Sequence, residues 1–168
     1  MADKAVFFDR DGVLNVDEGY LFRQEELQWI VGAREAVAYL TKLGYKIFVI
    51  TNQSGIARGF YTIEQMNKLH DFMQAEFQKM GGSITKFYYC PHHPTKGTIP
   101  EYAKVCDCRK PKPGMILKAF EEYDLDKANS FVIGDMPKDM EAAKAAGLRG
   151  YQFAGGNLLD FVKSIVKK

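Results

Sequence analysis

Two hydrophobic patterns alternate along this chain. Short continuous apolar runs rich in Val, Ile, Phe and Tyr occur at residues 5–8, 46–50, 86–89 and 131–133, with a weaker one at 150–153. Each predicts a strand, and the lack of polar interruption predicts strands buried on both faces. Helical spacing fills the intervals. Residues 33–43 set Ala33, Ala36, Val37 and Leu40 on one face, with Gly44 placed to end the helix. Thr62 opens a long helix with Gln65 three residues on, a capping-box pattern, and Met66, Leu69, Met73, Phe77 and Met80 form its inner stripe. Pro113 suits the first turn of a helix over 113–123 with Ile116, Leu117 and Phe120 inward. An Ala-rich helix over 137–146 stops at Gly147, and Asn157 is placed to cap a last helix through Val166. Strands alternating with helices predict an α/β fold: one Rossmann-like parallel sheet with helices on both faces, in a single domain spanning residues 1–168. Residues 90–112 form an irregular segment between the third strand and the next helix.

Composition narrows the function classes. Apolar residues make up 46% and charged residues 26% of the 168, as in folded soluble domains. The 23 basic and 21 acidic residues leave a net charge of +2, far from the basic excess of a non-specific nucleic-acid binder. The longest apolar runs are too short to cross a bilayer, so no membrane partner is expected. Residues 1–4 lack the apolar stretch of a secretory signal, so a cytoplasmic location is expected. The oligomeric state is open, with a monomer as the default expectation.

In open parallel sheets, ligands bind beyond the carboxyl ends of the strands. The first strand runs into Asp9, Asp11 and Gly12, the second into Thr51, Asn52, Gln53, Ser54 and Gly55, and the fourth into Gly134, Asp135 and then Asp139. One Asp or Gly after a strand is ordinary turn chemistry. Carboxylates from several strand ends on one edge instead repel each other unless a cation joins them, and a hard divalent ion such as Mg²⁺ suits all-oxygen ligands. The Thr51 hydroxyl and the amides after it can hold phosphate oxygens.

The segment from Phe7 to Gly12 resembles the first motif of the haloacid dehalogenase superfamily of phosphatases. Thr51 and Asn52 resemble its second motif, Lys110 its third, and Gly134 to Asp139 its fourth. The four stand in the family's order over nearly the whole chain. The resemblance implies a phosphoaspartyl mechanism, with Asp9 as nucleophile and Asp11 as general acid and then base. It implies Mg²⁺ held by Asp9, Asp135 and the Asp11 carbonyl, with Asp139 in support or as a further contact. Thr51, the Asn52 amide and Lys110 would hold the phosphoryl oxygens.

All three cysteines fall between residues 90 and 108, beside two of the three histidines. Cys90 with His92, and Cys106 with Cys108, offer four ligands suited to a closed tetrahedral Zn²⁺ site in a loop over about 90–108. Spacing alone leaves His92 and His93 both open. The residues 89–94 and 106–114 resemble the zinc-loop branch of the superfamily, whose pattern implies His92 as the ligand. Cys108 lies two residues before Lys110, so a structural zinc would fix the loop that carries Lys110 and Arg109 to the phosphate.

The chain leaves no room for a large cap, so loops must select the substrate. The zinc-loop branch contains histidinol-phosphate phosphatases and heptose-bisphosphate phosphatases. Residues 51–59 and the long interval between the two ligand pairs resemble the heptose group. That implies a sugar-phosphate substrate, losing its 7-phosphate in nucleotide-activated heptose synthesis. Asp17 and Tyr20 are candidates to touch sugar hydroxyls, and Arg58 and Arg109 to bind a second phosphate. Met136 stands where the family commonly carries Lys or Arg, with Lys138 nearby. Histidinol phosphate and phosphorylated nucleic-acid ends are the alternative substrates, and a zinc-loop nucleic-acid-binding module is the alternative of a different class.

Overall fold

The computed structural model describes residues 2–166. Five strands, β1 (Ala5–Phe8), β2 (Lys46–Asn52), β3 (Lys86–Cys90), β4 (Phe131–Gly134) and β5 (Arg149–Gln152), form one sheet in the order β3-β2-β1-β4-β5. Every pairing is parallel, with Phe7 opposite both Phe48 and Val132. The five α-helices among the described residues are α1 (Ala33–Lys42), α2 (Ile63–Lys79), α3 (Gly114–Glu122), α4 (Pro137–Ala145) and α5 (Leu158–Val166).

The two faces of the sheet make two cores. Val6, Phe8 and Val49 pack with Ala36, Val37 and Leu40 of α1, Leu69, Met73 and Phe77 of α2, and Leu158 and Val162 of α5. Phe7, Phe48 and Ile50 pack with Met115, Ile116 and Ala119 of α3 and Ala142 and Ala143 of α4. All four β1 side chains are buried, as a central strand covered on both faces requires. The chain builds outward from β1 to β3, then crosses to β4 on the other side of β1. That switch splays the loops after β1 and β4 apart and opens a crevice between them.

Local signals set most boundaries. The Thr62 hydroxyl accepts from the Gln65 amide at 3.1 Å, and the Gln65 side chain accepts from the Thr62 amide at 2.9 Å, completing the capping box. Asn157 Oδ1 accepts from the Asp160 amide at the start of α5. Three expectations need correction. β2 runs two residues beyond Ile50, because pairing with β3 extends through Asn52 and Cys90. Met80 follows the end of α2 and is 40% exposed instead of closing its inner stripe. Pro113 stands just outside α3, whose buried residues are Met115, Ile116 and Ala119, while Leu117 is exposed. No helix among the described residues is long and apolar enough to cross a membrane.

Candidate active site

The loops after β1, β2 and β4 meet at one edge of the sheet around a cleft of about 340 Å³. Asp9, the residue after β1, is 7% exposed. Its Oδ1 accepts from the Arg10 amide at 2.9 Å and from Lys110 Nζ at 2.8 Å. Lys110 is itself buried; its ammonium also donates to the Ile50 carbonyl at 3.0 Å and pairs with Asp139 Oδ1 at 2.7 Å. Asp139 reaches this point from the first turn of α4, where its Oδ2 also accepts from the Met136 amide at 3.1 Å. One residue thus caps a helix and carries charge into the site.

One carboxylate oxygen from each of Asp9, Asp135 and Asp139 lies within 4.8 Å of the others. Lys110 is the cation paired with Asp9 and Asp139. Burial raises the Asp9 carboxyl; Lys110 opposes that rise, and Asp139 and Asp11 add to it. Burial likewise raises Asp135. Burial would lower the Lys110 ammonium, but Asp9 and Asp139 outweigh it and hold the group above the ordinary lysine range. Asp135 Oδ1 is buried with no hydrogen-bond donor, a costly arrangement for a carboxylate. Three hard oxygen ligands, one of them orphaned, against a single ammonium fit a divalent cation such as Mg²⁺.

Two glycines make this crowding possible. Gly12 has φ of +93°, and a Cβ there would fall 2.1 Å from Asp135 Oδ2. At Gly134 a Cβ would fall 2.2 Å from the Asp139 Cβ. Side chains at either position would push the carboxylates apart.

Asp11 lines the same cleft, but its carboxylate is held from the other side. Arg10 Nη2 donates to Oδ1 at 2.9 Å and to Oδ2 at 3.1 Å, and Asn15 Nδ2 donates to Oδ1 at 3.0 Å. Gln53 Nε2 donates to Asp11 Oδ2 at 3.3 Å and to Thr51 Oγ1 at 2.7 Å. Thr51 Oγ1 therefore accepts from protein, which leaves its own proton for another acceptor. The Asn52 side chain does a job the sequence did not suggest. It accepts from the Lys110 amide at 3.0 Å and donates to the Lys110 carbonyl at 3.3 Å, clamping the lysine loop to the end of β2.

The cysteine window closes on itself. Cys108 Sγ lies 2.8 Å from Cys90 Sγ, 3.5 Å from Cys106 Sγ and 3.4 Å from His92 Nδ1. Contact with Cys90 lowers the Cys108 thiol to about 5, while the same contact and burial raise Cys90. One thiolate is thus favoured within the cluster. The four ligand atoms and their chemistry fit a tetrahedral zinc. His93 points elsewhere: its Nδ1 accepts from the Thr95 and Lys96 amides.

Of the residues expected to select substrate, Asp17 and Tyr20 line the cleft. Arg58 stands behind Tyr20, donating to its hydroxyl at 2.7 Å and stacking on the Tyr20 and Phe60 rings. These contacts hold Tyr20 at φ of 56°, a left-handed conformation that a non-glycine residue keeps only when its neighbours fix it. Arg109 Nη1 donates to the His92 carbonyl at 3.4 Å. Met136, 46% exposed, and Lys138 complete the rim. Sequence reasoning missed Gln53 and Tyr61 as lining residues, and missed the hydrogen bond from the Tyr61 hydroxyl to Gln53 Oε1. His70, on α2, is buried as well, at 4% exposed.

Known proteins are similar to this chain. A HAD-hydrolase-like family model (haloacid dehalogenase-like) matches residues 107–158. The chain is 43% identical to the D-glycero-β-D-manno-heptose-1,7-bisphosphate 7-phosphatase of Rhodopseudomonas palustris over 96% of its own length and 89% of the relative's. It is 49% identical to the protein of the same name in Vibrio cholerae, over 88% and 79% of the two chains. A crystal structure of the D,D-heptose 1,7-bisphosphate phosphatase of B. bronchiseptica, complexed with magnesium and phosphate, superposes with a TM-score of 0.80 at 34% identity, covering 96% of this chain and 86% of that one.

Proposed function

The chain belongs to the haloacid dehalogenase-like hydrolases, among the heptose-bisphosphate phosphatases, and from that premise we propose that it removes the 7-phosphate of D-glycero-β-D-manno-heptose 1,7-bisphosphate through a phosphoaspartyl intermediate. The convergence of Asp9, Asp135 and Asp139 around Lys110, with Asp11 across the cleft, supports this most directly. Asp9 attacks phosphorus as the bond from phosphorus to the sugar oxygen breaks, and Asp11 delivers a proton to that oxygen. Water then hydrolyses the acyl-phosphate while Asp11 takes up the proton. Lys110 and the Thr51 hydroxyl stabilise the charge that builds on the phosphoryl oxygens. Asp9 and Asp135, joined by the Asp11 carbonyl and backed by Asp139, would hold Mg²⁺, which supplies positive charge to neutralise carboxylates and phosphate together.

Substrate selection falls to the rim. Asp17 and Tyr20 face the sugar. Burial, and then the charges of Arg109, Lys96 and Arg58, lower the His93 imidazole. We assign Arg58 and Arg109 to the 1-phosphate, because a guanidinium matches phosphate oxygens in a fixed fork. Initial rates on the α and β bisphosphates, histidinol phosphate and a 5′-phosphorylated oligonucleotide test this assignment. The β bisphosphate should give the highest kcat/KM, and EDTA should abolish it. A higher kcat/KM on histidinol phosphate or the oligonucleotide would overturn it.

We further propose that Cys90, His92, Cys106 and Cys108 hold a structural zinc that braces the loop delivering Lys110. Three cysteines outside any disulfide suit a reducing compartment such as the cytoplasm. Stripping zinc, or replacing Cys108 by serine, should cut the phosphatase rate about tenfold or more. Zinc, and not Mg²⁺, should restore the stripped enzyme. Metal analysis alongside the assay checks the result, and full activity in zinc-free protein would contradict it.

A further inference from the structure

Arg10 is the largest fully buried side chain among the described residues, yet no step of the reaction uses it. It lies between the proposed nucleophile and the proposed general acid, and its guanidinium makes contacts along three directions. One edge grips Asp11, with Nε donating to Oδ1 at 3.0 Å beside the two bonds from Nη2. Nη2 also donates to the Leu21 carbonyl at 3.0 Å. Nη1 lies 3.2 Å from His70 Nε2. A guanidinium has no acceptor, so Nε2 must be the acceptor and His70 must be the neutral tautomer protonated on Nδ1. Burial, and secondly the Arg10 charge, lower the His70 imidazole well below its ordinary range, in keeping with that form. The ring is fixed in turn by stacking on Phe87 of β3, with centroids 4.3 Å apart and planes 12° apart.

The chain of contacts therefore runs from β3 through His70 of α2 to Arg10, and from Arg10 to the Asp11 carboxylate. A guanidinium presents its bidentate edge usefully in only one orientation, and the acceptor on Nη1 sets that orientation from behind. We propose that His70 is a positioning residue for the general acid, acting through Arg10. The inference rests on Asp11 serving as the acid in the proposed mechanism.

Leaving-group chemistry separates this role from plain stability. A sugar alkoxide is a poor leaving group and needs the proton from Asp11, whereas p-nitrophenolate leaves without one. His70→Phe keeps an aromatic ring against Phe87 and removes the acceptor. His70→Asn keeps a polar group that is too short to reach Arg10. In both variants kcat/KM on the heptose bisphosphate, which reports the steps through phosphoryl transfer to Asp9, should fall about tenfold while kcat/KM on p-nitrophenyl phosphate changes less than about twofold. His70→Gln, whose amide oxygen can accept from Arg10, should recover most of the loss. The ratio of the two rates is taken on one preparation, so an incomplete folded fraction cancels. Asp11→Asn serves as the control and should show the same selective loss in kcat/KM, only larger, while its kcat falls on both substrates because Asp11 is also the base in acyl-phosphate hydrolysis. Equal losses on both substrates in the His70 variants, or no change in the ratio, would overturn the positioning role when Asp11→Asn behaves as expected. If Asp11→Asn lowered kcat/KM equally on both substrates, the acid assignment itself would fall.

Discussion

Asp9→Asn is expected to lower kcat by about 10⁴-fold or more, as loss of a nucleophile does where a covalent intermediate is obligatory, and to leave the fold intact. An amide oxygen at this position can still accept from Lys110 Nζ and from the Arg10 amide, the two donors that fix the Asp9 side chain. It cannot form the acyl-phosphate. The substitution also removes one of three carboxylates crowded within 4.8 Å, so the metal-free protein should melt no lower than the parent. Phosphate release and thermal melting, measured on the same sample, check both halves. A folded Asp9→Asn enzyme that released phosphate at the parental rate would rule out the covalent route.

Lys110→Met should produce the other large effect, on rate and stability together. Lys110 is 3% exposed and pairs with both Asp9 and Asp139. Methionine matches its length and removes its charge, leaving buried carboxylates without the ammonium that offsets them. Breaking one side of a buried ion pair costs about 3–5 kcal/mol. Loss of one preorganised charge at the phosphoryl group costs about 10²–10³ in kcat. Mg²⁺ should recover much of the stability, because binding to the folded state alone stabilises it. It should not recover the rate. Melting with and without Mg²⁺ distinguishes this from a simple cavity, which Mg²⁺ would not repair. Unchanged melting in the metal-free variant would mean that Lys110 does not hold the carboxylates together.

Much of the site's frame is legible in the sequence, because strand ends announce themselves. A buried apolar run followed by Asp, Thr or Gly says where the chain leaves the sheet, and a parallel topology brings those exits to one edge. Asp9, Thr51 and Asp135 are found this way, and the capping box at Thr62 locates α2 for a similarly local reason. What escapes is the set of contacts between distant segments. The Asn52 side chain is spent on the backbone of Lys110, a partner 58 residues away. Gln53 joins Thr51 to Asp11 across two loops. His70 did carry a signal. It falls with Met66, Leu69, Met73 and Phe77 on the buried stripe of α2, so its spacing alone places it inside. A buried histidine needs a partner, but the partner, Arg10, lies 60 residues earlier and periodicity cannot name it. Leu117 and Met80 show the converse: an apolar residue beside a buried stripe, or just past the end of a helix, can be left exposed.

The most direct test of the central proposal is phosphorus NMR of D-glycero-β-D-manno-heptose 1,7-bisphosphate incubated with the enzyme and Mg²⁺. The 7-phosphate signal should disappear as inorganic phosphate grows in equal amount, the anomeric 1-phosphate signal should persist, and EDTA should stop the conversion. Loss of the 1-phosphate first, or an unchanged spectrum from folded, zinc-replete enzyme, would contradict it.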